Sequence, residues 1–213
     1  MVIAIDGPAA SGKSSVARRL ARHIGFDYVN SGAMYRAVTW ELLREGIDPS
    51  RPESVEAALS RISLDCGFSG DGEFFIRVNS ELPEVELRES AVNSQVSEVS
   101  AIPAVRKLIG TRLHSVAEGR RVVMEGRDIG TAVFPETPHK FYLDASPDVR
   151  RRRRAAEGHT DSIEKRDRID STRRHAPLAI APDANVIDTS DLPLEGVVSA
   201  IADILHQRGI GPQ

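Results

Sequence analysis

The sequence predicts an α/β fold in which helices cover both faces of a parallel β-sheet. Short apolar runs of the kind found in buried parallel strands alternate with longer segments whose apolar residues recur at helical spacing. The runs lie at residues 2–5, 26–29, 122–125, 140–143 and 186–188. Polar segments follow several of these runs directly, and the carboxyl ends of parallel strands meet at one edge of a sheet. We therefore expect distant segments of the chain to converge on one cleft at that edge.

Composition limits the number of domains and the class of partner. The chain has 213 residues, 40% of them apolar, which is enough for one α/β domain over residues 1–213 that carries an inserted lobe. The 31 acidic residues outnumber the 28 basic ones, so no overall positive field favours nucleic acid or a membrane. Cys66 is the single cysteine and is expected to be a small buried residue. With no apolar segment long enough to span a membrane, we expect a cytoplasmic protein.

The first apolar run is followed directly by a phosphate-binding P-loop. Residues 7–14 match the pattern G-x-x-x-x-G-K-[ST], and a helical pattern begins at Lys13. Glycines allow the tight turn, main-chain N–H groups point at phosphate oxygens, and the helix places its positive dipole end there. Lys13 is placed to bind the β- and γ-phosphates, and the Ser14 hydroxyl to bind a magnesium ion. The predicted nucleotide-binding residues are Gly7, Pro8, Ala9, Ala10, Ser11, Gly12, Lys13, Ser14 and Ser15.

A chance match in a glycine- and serine-rich turn is the alternative to a P-loop, and the register of strand, loop and helix argues against it.

The helices are predicted from periodicity and end signals. Gly25 occupies the usual position of a C-terminal cap for the first helix, and Asn30 or Ser31 caps the second. Ser50 and Glu53 have the spacing of a capping box for the third. The predicted helices cover residues 13–24, 31–45, 52–62, 88–119 with a break near Pro103, 147–157 and 162–174 around Gly158, and 194–208.

Residues 63–87 break the alternation of strands and helices. Strand-like pieces at residues 63–68 and 74–78 flank Ser69-Gly70-Asp71-Gly72, which predicts an antiparallel hairpin. Because such a hairpin does not fit a parallel sheet, we expect an inserted lobe here.

Two further polar segments follow predicted strands. Residues 30–36 start a helix, and Arg36 lies one turn into it. This helix start can hold a second anion, or it can be an ordinary N-cap with a surface arginine. Residues 125–130 place Arg127 and Asp128 between two glycines, where they can point at a phosphate and at a donor group of a ligand. As an exposed ion pair in a turn, the same two residues would contribute little.

The last polar segments are rich in arginine. Because five consecutive helical residues point all round the axis, only a subset of Arg150 to Arg154, such as Arg150 with Arg153 or Arg154, shares one face. Arginines on that face would stabilise a phosphoryl group in transfer, whereas a solvated charge run is the alternative. Downstream, Arg166, Asp170 and Arg173 fall on one side of a helix, able to bind sugar hydroxyls and a phosphate or to form a surface salt bridge.

Together these segments resemble bacterial cytidylate kinases, which have the nucleoside monophosphate kinase fold of P-loop proteins. The resemblance covers nearly the whole chain. Its evidence is GPAASGKS from residue 7, SGAMYR from 31, VSAIPAVR from 99, EGRDIGTAVFP from 125 and RDRIDSTRRHAPL from 166, of which the last two are specific to these kinases.

The resemblance implies a fold and a reaction. The fold is a five-stranded parallel sheet of order 2-3-1-4-5, with an enlarged monophosphate-binding lobe at about residues 63–100 and a short helical lid at about residues 147–174. The reaction transfers the γ-phosphoryl group of ATP, with Mg²⁺, to CMP or dCMP. The lid is shorter than the common form of the family. The resemblance therefore does not decide which lid arginines reach the phosphoryl group.

The resemblance also assigns residues to this reaction. Ser97, Arg106 and Asp128 would recognise cytosine, Arg36, Arg127 and Arg173 would hold the monophosphate, and Arg166 and Asp170 would contact the sugar. The expected substrate-binding set is Ser31, Arg36, Ser97, Arg106, Arg127, Asp128, Arg166, Asp170 and Arg173, and the expected catalytic set is Lys13, Arg127, Arg150 and Arg154. We expect a monomer whose partners are nucleotides, with no nucleic acid or membrane.

Three other functions are weighed against this one. The nearest is another P-loop kinase that acts on UMP, AMP, dTMP or shikimate. A GTPase switch is disfavoured because residues 185–188 have Val186 where the guanine-binding pattern N-K-x-D has lysine. A nucleic-acid-binding protein would use the arginine run.

Overall fold

The computed structural model describes residues 1–70, 72–156 and 163–211. Its elements, in chain order, are β1 (Val2–Asp6), α1 (Lys13–Ile24), β2 (Asp27–Asn30), α2 (Ser31–Arg44), α3 (Pro52–Leu59), β3 (Leu64–Phe68), β4 (Phe74–Val78), α4 (Ser90–Ala101), α5 (Pro103–Ala117), β5 (Val122–Gly126), β6 (Lys140–Asp144), α6 (Pro147–Ala156), α7 (Ile163–Thr172), β7 (Asn185–Asp188) and α8 (Leu194–Gln207). A 3₁₀ turn at Glu86–Arg88 precedes α4, and a π-helical turn at Ile129–Val133 follows β5.

Five parallel strands form the main sheet in the order β2-β5-β1-β6-β7. Counting only these strands along the chain gives 2-3-1-4-5, so the expected order is confirmed. All five residues of the central strand β1 are buried, as its apolar sequence predicts. Asp6 at the end of β1 pairs with Gly126 at the end of β5. The loops that leave these two strands therefore begin side by side.

Helices cover both faces of the sheet because successive strand residues point to opposite sides. Ile3 of β1 packs with Leu20 of α1 and Ile201 of α8 on one face. Ala4 belongs to the core on the other face, which includes Val38 of α2 and Ile109 of α5. The two hydrophobic cores thus fix the sheet between two layers of helices, with α1 and α8 on one face and α2 and α5 on the other.

The predicted antiparallel hairpin is confirmed and forms a separate two-stranded sheet of β3 and β4. Leu64 and Val78 are a pair in its ladder, and both are buried in the same core as α2 and α5. The hairpin thus packs on the main domain. Asp71 in the predicted turn, like Gly158 between the two charged helices, lies outside the described residues.

Two local predictions are wrong for identifiable reasons. The capping box of Ser50 and Glu53 does not form, because Pro52 is the first residue of α3 and Arg51 is therefore its N-cap. The Ser50 main-chain N–H donates instead to the Asp48 carboxylate at 2.9 Å. Cys66 is only partly buried, since it lies in a hairpin of two strands, and this burial raises the pKa of its thiol to about 11.

Candidate active site

The P-loop passes from β1 into α1 through a turn that requires glycine at both ends. Gly7 has φ 151°, and a Cβ there would lie 2.1 Å from the Leu143 carbonyl oxygen. Gly12 has φ 91° and is the N-cap of α1. Both positions disfavour other residues because L-residues rarely adopt these backbone angles, and at Gly7 no space remains for a Cβ beside β6. The glycines therefore allow the first turn of α1 to present its N–H groups at the carboxyl edge of the sheet.

Lys13 is buried at this edge, with 5% of its surface exposed. Its ammonium donates a hydrogen bond to the Pro8 carbonyl at 2.6 Å. Burial is the main reason that the pKa of Lys13 falls to about 7, and the positive charge of Arg127 lowers it further. Because burying the Lys13 ammonium costs free energy, this side chain is a strong candidate for binding an anion.

Hydroxyl groups line the same loop. Ser11 Oγ is buried and has no hydrogen-bond partner among the described residues, whereas Ser14 and Ser15 are exposed on the first turn of α1. No cluster of three or more histidine, cysteine or acidic residues in the described ranges could hold a metal ion. The exposed Ser14 hydroxyl is an oxygen donor of the kind that Mg²⁺ prefers.

A buried aspartate links two arginines that come from different parts of the chain. Asp128, in the turn after β5, forms ion pairs with Arg106 of α5 and with Arg173, whose Nη2 lies 3.2 Å from Asp128 Oδ1. Burial raises the pKa of Asp128, and the two arginines oppose this rise. Arg106 also donates to the Ser100 carbonyl at 3.2 Å, and the Ser100 hydroxyl donates to the carbonyl of the buried Ser97. The three residues predicted to recognise cytosine are thus brought together from α4, α5 and the turn after β5.

The arginines predicted to hold a monophosphate also converge. Arg127 Nη1 donates to the P-loop Gly7 carbonyl at 3.2 Å, and its Nε donates to Asp170 Oδ2 at 3.0 Å. Arg173 Nη1 lies 3.9 Å from Asp170 Oδ1. Burial lowers the pKa of Arg36 to about 10, and the next cause is the positive charge of Arg166. These side chains form one positive cluster beside the P-loop.

Arg36 joins this cluster through charge. Arg127 and Arg154 also lower the pKa of Arg36, whereas the carboxylate of Glu125 raises it. Arg166 and Asp170, on α7, are both buried.

The arginine run divides as helical geometry predicts. Arg150 points at the P-loop and donates to the Ala9 carbonyl at 3.3 Å. Arg154, one turn later, contributes to the charge around Arg36. Arg153 donates to the Thr189 carbonyl at 2.7 Å, whereas Arg151 is exposed and pairs with Asp148. The inward subset is thus Arg150, Arg153 and Arg154.

Ser31 has a hydrogen bond within the protein. Its buried hydroxyl donates to the Glu125 carbonyl at 2.6 Å, which fixes the start of α2 against the end of β5. Only its acceptor lone pairs remain for a ligand.

Sequence reasoning missed two carboxylates. Asp6 is buried at the end of β1 and accepts hydrogen bonds from the main-chain N–H groups of Ile129 and Gly130 at 2.8 and 2.7 Å. Burial raises the pKa of Asp6 to about 6. Asp167 of α7 accepts the Ala9 N–H at 2.9 Å. The one available signal for Asp6 was a charged residue at the end of a buried strand, directly before the P-loop.

Comparison with known proteins identifies the family. The cytidylate kinase family model matches residues 3–207. The chain belongs to the cytidylate kinase family. A cytidylate kinase from Mycolicibacterium paratuberculosis is 42% identical over 220 residues, covering 98% of this chain and 96% of its own. One from Pelotomaculum thermopropionicum is 42% identical over 210 residues, covering 93% of each chain.

Solved structures support the fold of this cytidylate kinase family member. A gluconokinase from Sinorhizobium meliloti has a TM-score of 0.53 and 15% identity, covering 97% of this chain and 92% of that chain. This similarity concerns the fold alone. Among the described residues, no helix has the length and apolar character that a bilayer crossing requires.

Proposed function

We propose that this protein transfers the γ-phosphoryl group of ATP to CMP or dCMP. The observation that carries the proposal is the position of Arg127, which contacts the P-loop at Gly7 and shares Asp170 with Arg173, while its positive charge also acts on Arg36. Two anions can therefore meet at the carboxyl edge of the sheet, one on the loop amides and one on the arginines. Membership of the cytidylate kinase family supports the same reaction.

The P-loop would bind ATP, because the first turn of α1 presents N–H groups and Lys13 supplies a cation. Phosphate charge would raise the pKa of Lys13, which burial has lowered, and so favour its protonated form. Ser14 would hold a magnesium ion, which neutralises part of the phosphate charge when bound.

Phosphoryl transfer would need positioning and charge stabilisation. A phosphate oxygen of CMP attacks in line, and no protein nucleophile is required. Arg127 lies between the two anion sites, since it contacts both Gly7 and Asp170. Arg150 and Arg154 would neutralise charge on the group in transfer, and closure of the lid would exclude water.

Asp128 would select the base. Cytosine offers an amino group at N4, which a carboxylate accepts, whereas uracil has a carbonyl oxygen at that position. Arg106 can donate to the N3 and O2 acceptors of cytosine. Because a buried carboxylate facing uracil O4 pairs an acceptor with an acceptor, CMP and dCMP are preferred over UMP.

We also propose that residues 1–213 act as one domain, with a monophosphate-binding lobe at about residues 63–100 and a lid at about residues 147–174. Arg166 and Asp170 would contact the sugar. We propose a cytoplasmic monomer that binds nucleotides and neither nucleic acid nor membranes.

A coupled assay of ADP release tests the proposal. The enzyme is offered ATP and, in turn, CMP, dCMP, UMP, AMP, dTMP and shikimate. We expect the highest kcat/KM on CMP and dCMP, and Asp128→Ala should lose the preference for CMP over UMP. Equal rates on CMP and UMP in the parent enzyme would contradict the assignment of Asp128.

A further inference from the structure

A carboxylate from α7 reaches the P-loop. Asp167 Oδ1 accepts the Ala9 N–H at 2.9 Å, and Asp167 Oδ2 pairs with the Arg150 guanidinium of α6. Arg150 Nη1 donates to the carbonyl of the same residue, Ala9, at 3.3 Å. Both main-chain polar groups of one P-loop residue are therefore bound by this ion pair. The pair joins the consecutive helices α6 and α7 to a P-loop residue that lies 141 residues before Arg150.

The contacts fix the direction of Arg150. Its Nε donates to the Ala145 carbonyl at 3.1 Å, so the guanidinium is bound by Ala145, Ala9 and Asp167 at once. A guanidinium has five N–H donors, and these three contacts leave donors for a phosphate oxygen. The side chains of Arg150 and Asp167 are only 12% and 16% exposed, unlike an ordinary surface pair.

The negative charge of Asp167 acts on cations of the phosphate-binding site. Burial lowers the pKa of both Lys13 and Arg127 and Asp167 raises both, with the result that the pKa of Lys13 falls overall and that of Arg127 rises. Asp167 thus lies close to the two cations that face the phosphates. A lone carboxylate there would repel ATP, whereas one neutralised by Arg150 need not.

We propose that Asp167 is a positioning residue for phosphoryl transfer, which holds the Arg150 guanidinium over the P-loop so that it meets the γ-phosphate of bound ATP. This inference rests on the proposed kinase function. Asp167 acts through Arg150, because its own negative charge cannot stabilise a phosphoryl group. The loss of Asp167 should therefore lower kcat with little effect on the KM for CMP.

The first test replaces Asp167 by asparagine. Asp167→Asn retains an oxygen that can accept the Ala9 N–H but loses the charge that orients Arg150. We expect kcat to fall about tenfold to a hundredfold, the range for a displaced catalytic group, while the KM for CMP changes less than about twofold. Glu164→Gln is the matched control, since Glu164 lies on the exposed side of α7 and pairs with Arg151 of α6. Its kcat should stay within about twofold of the parent value.

A double-mutant cycle asks whether Asp167 acts through Arg150. If it does, Arg150→Met with Asp167→Asn should have the same kcat as Arg150→Met alone. Multiplicative losses, or a parent-like kcat in Asp167→Asn, would overturn the inference. A lower thermal midpoint with unchanged kcat would also overturn it, because the role would then be structural only. A parent enzyme that fails to phosphorylate CMP would instead refute the proposed function.

Discussion

Replacing Asp128 by alanine tests the charge balance opposite the P-loop. The variant removes the carboxylate that Arg106 and Arg173 share, and the three side chains are only 5%, 11% and 4% exposed. Removal of one partner from a buried ion pair costs about 3–5 kcal/mol, because the remaining charge stays desolvated. Asp170 lies 3.9 Å from Arg173 and retains part of the neutralisation. We therefore expect the free energy of unfolding to fall by about 3 kcal/mol, the lower end of that range.

Urea denaturation measures this change. Trp40, the single tryptophan, packs against the core and reports unfolding by its fluorescence. With an m-value of about 3 kcal/mol/M, the midpoint should shift about 1 M lower. Asp148→Ala is the control, because it breaks the exposed pair with Arg151, and we expect no measurable shift. Coincident midpoints for the two variants would refute the argument that Asp128 neutralises buried arginines.

Two further predictions concern the P-loop. Gly7→Ala should abolish ATP binding in calorimetric titrations, because its Cβ would lie 2.1 Å from the Leu143 carbonyl oxygen. Gly110→Ala is the control and should bind ATP normally, because a Cβ there meets nothing within 4 Å. The pKa of Lys13 is about 7, and its protonated form binds phosphate, so ATP affinity should fall as the pH rises above 7, by about tenfold per pH unit. Calorimetry between pH 7.5 and 9, in two buffers of different ionisation enthalpy, should show that Lys13 takes up a proton when ATP binds. The same proton uptake in Lys13→Met would exclude Lys13 as its source.

Local signals predicted the helices well where the sequence itself sets the boundary. The first helix begins at Lys13 and ends at Ile24 as predicted, because Gly25 adopts the left-handed cap at φ 70°. Asn30 accepts the Ala33 N–H at 3.0 Å, as its cap position indicated. The capping box at Ser50 failed because two local signals compete there and Pro52 prevails. The sheet order came from the family resemblance, since strand order depends on pairing between distant segments.

The ion pairs of the candidate site could not be predicted from local patterns. Arg127 and Asp170 are 43 residues apart, and Asp167 is 158 residues from Ala9. Sequence reasoning identified most of the cations, because phosphate binding requires them. It missed Asp6, whose partners are main-chain N–H groups that every residue carries, and Asp167, which binds one such group together with the distant side chain of Arg150. Outside a helix cap, a carboxylate that binds an amide has no sequence signature of its own.

The aspartates explain how so many arginines can lie together beside Lys13. Arg106 and Arg173 share Asp128, Arg127 pairs with Asp170, and Arg150 pairs with Asp167. Each guanidinium is therefore desolvated with a carboxylate already in contact, which offsets part of the cost of burying its charge. A phosphate can then replace or share a carboxylate partner, so that binding exchanges one anionic contact for another. On this argument the aspartates hold the arginines ready for nucleotides, and the loss of any one should weaken phosphate binding or transfer at its own arginine first.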